Sequence, residues 1–148
     1  MAKFKVMAMN IPGAGNESGP DKYSLEMEAL GPIGAEIIEV SSDSTQGFLD
    51  EAQDADALIA GRVQLTKDMI VGLNKCRVIS SGSVGTDKID VAAATEKGIP
   101  VTNVPDTFIE EVADHALMLL LATYRRLLTL DHMARDGRWS QGRPMLNH

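Results

Sequence analysis

The sequence predicts an α/β fold, and two features of the chain support this expectation. Up to residue 102, five short apolar runs alternate with helical stretches, which is typical of a parallel sheet whose strands are joined by helices. After Pro105, helical patterns follow one another without an intervening strand. We therefore expect a doubly wound, flavodoxin-like parallel sheet of five strands, followed by a long helical arm. The expected boundary separates residues 1–102 from residues 103–148.

Each strand is predicted from a short apolar run bounded by turn residues. The expected strands are residues 4–9, 35–40, 57–60, 78–81 and 99–102. The expected helices are residues 20 or 21 to 30, 44–53, 66–73 and 87–97. Gly31-Pro32 and Gly98 are predicted stops. Thr66 and Asp87 are predicted N-caps, because their side-chain oxygens can accept hydrogen bonds from the free N–H groups of a first turn.

The arm is predicted to contain two helices. Thr107-Phe-Ile-Glu110 fits a capping box, so we expect a helix from here to at least Arg126. A second helix should continue to about residue 136, with Gly137 as its stop. Residues 116–122 are seven consecutive apolar residues, which cover every side of a helix. Such a helix should be buried on all sides, so we predict contact with another domain or another subunit.

Composition argues against several classes of function. The net charge of −7 over 148 residues disfavours non-specific binding of nucleic acid or anionic membranes. The longest apolar run is far shorter than the ~20 residues of a membrane span. Cys76 is the only cysteine, which excludes an internal disulfide and favours a small apolar residue entering a strand over a reactive thiol. The N-terminus turns directly into strand pattern, and we expect a cytoplasmic protein.

The turn Gly82-Ser-Val-Gly85 is the most informative candidate site. It joins an apolar strand to a helix, so several backbone N–H groups should converge on one point that suits a small carboxylate. A plain tight turn explains the same residues equally well. The Ser83 hydroxyl could contact an anion or bond to its own backbone. Arg62 follows the third expected strand and could hold a carboxylate, although the local pattern alone favours a solvated loop arginine.

Two other patterns are weaker. Gly13-Ala-Gly15-Asn-Glu-Ser-Gly19 is similar to a dinucleotide-binding signature, but its third glycine lies one residue late, which favours a flexible loop.

Asp114 and His115 are neighbours and point about 100° apart on a helix. We therefore interpret His115 as a buried or interfacial residue and not as half of an acid–base pair. The sequence has no spacing typical of a metal site or of an activated nucleophile.

Six separated blocks carry a family resemblance over roughly residues 55–140. They are residues 78–90, 92–94, 97–105, 112–115, 124–126 and 135–139. The third contains Asn103-Val-Pro105, and the fourth is Val112-Ala-Asp-His115. Together and in this order, the blocks resemble the D-isomer-specific 2-hydroxyacid dehydrogenases. That family includes glyoxylate/hydroxypyruvate reductases, phosphoglycerate and D-lactate dehydrogenases, and formate dehydrogenase.

The resemblance implies a role for each part of the chain. Residues 1–102 would form the substrate-binding domain, and residues 103–148 the interdomain linker helix and dimerisation arm that begins a nucleotide-binding domain. In the family, amides at the positions of Val84 and Gly85 hold the substrate carboxylate, so Ser83 belongs to the same site. Some members place a substrate-contacting arginine at the position of Arg62. The positions of Phe108 and Val112 face the cleft near the nicotinamide.

The resemblance also implies the reaction. We expect NAD or NADP as cofactor of the full-length protein, a small 2-hydroxy or 2-oxo acid as substrate, and a homodimer formed through residues 107–135. The glycine-rich fingerprint and the catalytic Arg, Glu and His of the family match no residue here, so this chain is expected to be an N-terminal portion that is inactive and holds no cofactor alone. The alternative is a non-catalytic dimerising module that binds a small acid or regulates a relative.

Overall fold

Five parallel strands form one sheet in the order β2-β1-β3-β4-β5, which is the flavodoxin-type order and confirms the predicted fold class. The strands are β1 (Phe4–Met9), β2 (Ala35–Val40), β3 (Ala57–Ala60), β4 (Ile79–Ser81) and β5 (Val101–Thr102). The structure is a computed structural model that describes residues 3–9, 22–42, 44–61 and 63–146. The predicted bounds of β1, β2 and β3 are confirmed, whereas β4 and β5 begin one and two residues later than expected.

The helices follow the same alternation and then form the arm. They are α1 (Ser24–Leu30), α2 (Thr45–Ala52), α3 (Lys67–Gly72), α4 (Val91–Glu96), α5 (Ile109–Tyr124), α6 (Leu127–Arg135) and α7 (Trp139–Gly142). The chain divides into two compact units, Met1–Pro105 and Asp106–His148. The roles predicted for residues 1–102 and 103–148 stay predictions.

One face of the sheet carries the main core of the first unit. Met7 pairs with Leu58, and Leu58 pairs with Ile79, so the three side chains lie in a row across β1, β3 and β4. Phe48 from α2 and Ile70 from α3 belong to the same cluster, and all five residues are at most 1% exposed. Burying each such side chain stabilises the fold by about 1.5–3 kcal/mol. This buried row therefore favours one register of β1, β3 and β4, because a shift by one residue would turn its side chains to the other face.

The N-cap of α3 is confirmed, but the predicted N-cap of α4 is wrong. Thr66 Oγ1 accepts a hydrogen bond from the Met69 amide at 3.4 Å. The helix predicted from Asp87 begins at Val91 instead, where Asp90 Oδ1 accepts from the Ala93 amide at 2.9 Å. The reason is a competing contact: the Leu65 amide donates to Lys88 O at 2.7 Å, and the Asp90 amide donates to Leu65 O at 3.0 Å. Residues 88–90 therefore pair with the segment after β3 and are not available to a helix.

The ends of the first helix differ partly from expectation. The predicted start at Pro20 or Asp21 lies outside the described residues, and α1 begins at Ser24. Gly31-Pro32 does not end the helical conformation at once, because Gly31–Ile33 continue it as a 3-10 helix. The stop is Gly34, which adopts the left-handed conformation with φ 76°.

The capping box predicted for the arm is wrong. Phe108 is the N-cap of α5, its φ is 65°, and no side-chain cap hydrogen bond forms. Thr107 consequently lies one position too early to cap, and Glu110 lies in the first turn. The helix ends at Tyr124, short of the predicted Arg126.

The rest of the arm contains one confirmed stop and one unexpected helix. Gly137 follows the end of α6 with φ 69°, as predicted. The short helix α7 was not predicted. Within the described residues, no helix has the length and apolar character needed to cross a bilayer.

Lys97 links two helices of the first unit. Its ammonium group donates to the carbonyl oxygens of Ile70 at 3.2 Å and Val71 at 2.6 Å, and also to that of Leu73. These oxygens lie at the C-terminal end of α3, where the last carbonyls of a helix have no partner within it. A lysine at the end of α4 therefore caps the neighbouring helix.

Replacing Lys97 with methionine should lower the free energy of unfolding by about 1–2 kcal/mol, because the carbonyl groups lose a charged donor while the side-chain volume is kept. Lys67→Met is the matched control, since Lys67 lies in an exposed ion pair with Glu96 at 3.6 Å. We expect it to change the free energy by less than about 0.5 kcal/mol. Urea titrations followed by circular dichroism measure both values, and equal losses would contradict the capping role.

Candidate functional site

A cavity of about 220 Å³ lies at the carboxyl ends of β3 and β4. Gly61, which follows β3, lines one side, and Ser81, the last residue of β4, lines another. Ser83 and Gly85 contribute the turn that the sequence singled out. Ligands of open parallel sheets bind at this edge, so the fold places the predicted turn where a binding site is expected.

The backbone of the turn is held from the segment that follows β5. The Val104 amide donates to Ser83 O at 3.1 Å, and Asn103 Nδ2 donates to Val84 O at 2.7 Å. Among the residues that the structure describes, no acceptor contacts the amides of Val84 and Gly85. Both N–H groups are therefore available to an anion.

Two serines complete the hydrogen bonding of the turn. Ser83 Oγ donates to Gly85 O at 2.7 Å, because a carbonyl can only accept. Ser81 Oγ lies 2.9 Å from Ser83 Oγ and must be the donor of that pair, since the Ser83 proton is already engaged. Ser81 is a buried polar residue, with 4% of its surface exposed. The substrate contact predicted for Ser83 stays a prediction, and its proton is directed into the turn.

Two glycines permit close approaches around this cavity. A Cβ atom at Gly85 would lie 2.6 Å from Asp87 Oδ1, and one at Gly61 would lie 2.7 Å from Met9 O. Gly61 therefore lets the end of β3 pack against the end of β1. A Cβ atom at Gly82 would meet nothing within 4 Å. The two glycines of the turn thus differ, because only Gly85 is constrained by a neighbour.

Charges of both signs line the cavity. Asp87 and Lys88 are among the lining residues, and Asp87 is exposed. The carboxylate of Asp87 lies close to the Gly85 backbone and opposes the binding of an anion there. Arg62, the predicted partner of a substrate carboxylate, lies outside the described residues.

The residues predicted to lie near the nicotinamide belong to the second compact unit. Phe108 is 65% exposed and Val112 is 66% exposed at the start of α5. A non-glycine residue in the left-handed region costs of order 1–3 kcal/mol, so the backbone at Phe108 is strained. The predicted contact of Phe108 and Val112 with a cofactor stays a prediction.

The remaining candidates from the sequence are Cys76, His115 and the glycine pattern at residues 13–19. Burial raises the pKa of the Cys76 thiol, and Sγ donates to Val78 O at 3.3 Å, which fits the predicted small apolar residue and reduces the thiolate population. His115 is exposed on α5, so the expectation that it is buried within the chain is wrong, while an interfacial position stays a prediction. The glycine pattern at residues 13–19 lies outside the described residues. Within the described ranges, no three His, Cys, Asp or Glu side chains could hold a metal ion together.

Asn103 is the site residue that sequence reasoning missed as a functional residue. It was noticed only as part of a family block, although it is a polar residue directly after β5. In a parallel sheet this position lies beside the exit of the adjacent strand β4. The sheet order brings this position to the turn, and the sequence alone does not give that order.

The fold and the turn together define a parallel α/β domain with a candidate site for a small carboxylate at the carboxyl edge of its sheet. A sequence model of one family, described as "D-isomer specific 2-hydroxyacid dehydrogenase, catalytic domain", matches residues 22–140. The chain belongs to this family, which confirms the resemblance carried by the six blocks.

Individual relatives cover a smaller part of the chain. The glyoxylate/hydroxypyruvate reductase A of Arabidopsis thaliana is 50% identical over 74 residues, which are 50% of this chain and 24% of that protein. A glyoxylate reductase of Thermococcus kodakarensis is 39% identical over 95 residues, which are 64% of this chain and 28% of that protein. The matched part of the chain therefore spans only 24–28% of these two relatives.

A solved structure shows the same fold. The NAD-dependent formate dehydrogenase from Staphylococcus aureus, in complex with NAD, matches with a TM-score of 0.67 at 24% sequence identity. The match covers 97% of this chain and 46% of that chain. At this identity the likeness supports the architecture of the sheet and helices.

Proposed function

We propose that the full-length protein is an NAD(P)-dependent oxidoreductase that transfers a hydride between nicotinamide and a small 2-hydroxy or 2-oxo acid. This chain would supply the site for the carboxylate of the substrate. The observation that carries the proposal is the pair of Val84 and Gly85 amides, which lie at the carboxyl edge of the sheet; the carbonyls of the same two peptide units, Ser83 O and Val84 O, already accept hydrogen bonds from the segment after β5. Membership of the family supports the class of reaction.

The contribution of this chain is binding and orientation. Two N–H groups that face one carboxylate group fix its position without supplying a proton or a nucleophile. Arg62, next to Gly61 in the sequence, would add a positive charge to the same carboxylate. No residue of this chain is assigned a catalytic role.

The cofactor is proposed to contact the start of α5. Exposed apolar side chains fit the flat face of a nicotinamide ring, and Phe108 and Val112 are of this kind. When bound, the cofactor supplies or accepts the hydride. The side chains of this chain would then orient the ring and keep water from one of its faces.

Oxalate is a suitable probe of the carboxylate site, because it presents the carboxylate of a 2-oxo acid without being reduced. In nuclear magnetic resonance titrations it should shift the amide signals of Val84 and Gly85 first. In a soaked crystal, a carboxylate oxygen should lie about 2.7–3.2 Å from both amide nitrogens. An oxalate ion bound at another surface, with these two amides unaffected, would overturn the proposal.

Two glycine variants provide the matched comparison for this titration. Gly85→Ala places a methyl group at the cavity wall, where it must displace the Asp87 carboxylate. The methyl group itself would occupy space beside the Gly85 amide, so the dissociation constant of this variant for oxalate should rise at least about threefold even though a repelling carboxylate is moved. Gly82→Ala adds a methyl group into open space, and its constant should change less than about twofold.

The pure 148-residue chain should show no NADH-dependent reduction of glyoxylate, pyruvate or hydroxypyruvate, because it contributes no assigned catalytic residue. A full-length family member assayed in parallel provides the positive control. Measurable turnover by the chain alone would contradict this expectation.

The reading frame of the gene distinguishes the enzyme from the alternative of a non-catalytic module. Continuation past His148 into a Gly-x-Gly-x-x-Gly stretch supports the enzyme, whereas a stop codon supports the module.

We further propose that the arm forms a homodimer through residues 107–135. On α5, Leu117, Leu120 and Leu121 are 57%, 63% and 59% exposed, and Leu128 on α6 is 76% exposed. The three leucines of α5 are spaced to lie on one face of the helix, and exposed apolar patches are typical of protein interfaces. A second copy of the same arm offers a matching apolar surface, as a symmetric dimer requires.

Leu120→Glu should convert the dimer to a monomer, because it places a charge within the proposed apolar interface. Light scattering coupled to gel filtration measures the mass of each variant. Leu25→Glu is the control, since Leu25 is 78% exposed on α1, outside the arm, and this change should leave the dimer intact. A monomeric, non-aggregating parent chain would overturn the dimer proposal.

A further inference from the structure

We propose that Asn103 is a positioning residue that aims the Gly85 amide, one of the two proposed donors, at the substrate carboxylate. The inference rests on the proposed function, in which the Val84 and Gly85 amides hold that carboxylate. It assigns a role to a side chain that does not line the cavity and so acts through the turn.

The first step is the geometry of a single peptide unit. In a planar trans peptide, the carbonyl oxygen and the next N–H group point in opposite directions. Asn103 Nδ2 holds Val84 O at 2.7 Å. The Gly85 N–H, which belongs to the same peptide unit, must therefore point away from Asn103. Fixing the carbonyl fixes the direction of the donor.

The preceding peptide unit is held from the same side. The Val104 amide donates to Ser83 O at 3.1 Å, so the Val84 N–H also points away from the segment that follows β5. Both consecutive N–H groups thus point away from the segment that follows β5, which leaves them on the side where a backbone anion site can form. The Asn103 side chain and the Val104 backbone N–H thus hold two consecutive carbonyl groups of the turn from the same side.

The third peptide unit is closed within the turn itself. Ser83 Oγ donates to Gly85 O, and Ser81 donates to Ser83 Oγ. The carbonyls of Ser83, Val84 and Gly85 are therefore all engaged. Of these three contacts, only that of Asn103 comes from a side chain outside the turn and β4. A substitution at Asn103 consequently removes one anchor while the other two persist.

The test compares four forms of the 148-residue chain: the parent, Asn103→Leu, Asn103→Gln and Asn74→Leu. Asn103→Leu keeps the side-chain size and removes the donor, and Asn103→Gln keeps a donor. Asn74→Leu is the control, because Asn74 is an exposed residue of the same compact unit. Its backbone N–H donates to Gln53 O, and the substitution keeps this hydrogen bond. Oxalate is titrated, and the dissociation constant is read from the Val84 and Gly85 amide signals.

We expect Asn103→Leu to raise the dissociation constant of oxalate by about fivefold and Asn103→Gln to restore part of this loss. Asn74→Leu should leave the constant unchanged. Thermal unfolding of each variant is measured alongside, because a weaker oxalate affinity at an unchanged unfolding midpoint indicates a specific effect on the turn and not a general loss of stability. Unchanged affinity in Asn103→Leu would overturn the inference.

A second readout without oxalate separates this inference from the proposed function. Residual dipolar couplings of the Val84 and Gly85 N–H bonds report their directions in the free chain. Asn103→Leu should change that of Gly85, and Asn74→Leu should change neither. If the parent fails to bind oxalate, the proposed function falls, while unaltered couplings in Asn103→Leu would overturn the positioning role independently.

Discussion

Parallel strands all end at the same edge of their sheet, and the candidate site depends on this constraint. β4 and β5 pair in register, with Ile79 opposite Val101 and Ser80 opposite Thr102. The chain that leaves β4 and the chain that leaves β5 must therefore run side by side. The buried Ile79 holds this alignment, because a shift by one residue would turn its side chain to the other face of the sheet. The core thus determines which segment can hold the turn.

The turn is organised through its acceptors, and its donors are left for a ligand. Engaging the carbonyls of Ser83 and Val84 orients two N–H groups before any anion is present. Donors that are already oriented do not have to be reoriented on binding, so that cost does not reduce their interaction free energy with an anion. The glycine at position 85 contributes by allowing Asp87 to approach the backbone. The same residues would also suit a plain tight turn, and it is the engagement of the carbonyls that favours the anion site.

Local sequence signals predicted the features that residues close in sequence define. The apolar runs of β1, β2 and β3 and the cap at Thr66 are such features, although the strands themselves pair with distant segments. Asp87 failed as a cap because Leu65, more than twenty residues earlier, pairs with Lys88 and Asp90. Asn103 and Val84 are 19 residues apart, so no pattern within either segment indicates their contact. What could not be predicted was therefore the choice between competing partners brought together by the sheet.

Charged residues line the cavity around the turn, and they bear on how tightly the proposed site would hold an anion. The two backbone donors would hold a carboxylate through their dipoles, and the Asp87 carboxylate beside Gly85 would repel it. The proposed amides would therefore orient a carboxylate more than they attract one. An orienting site with low intrinsic affinity suits a substrate whose remaining atoms must be held by other groups, such as the proposed Arg62. Amide direction would then determine how the acid is presented, and charge supplied from outside the turn would determine how tightly it is bound.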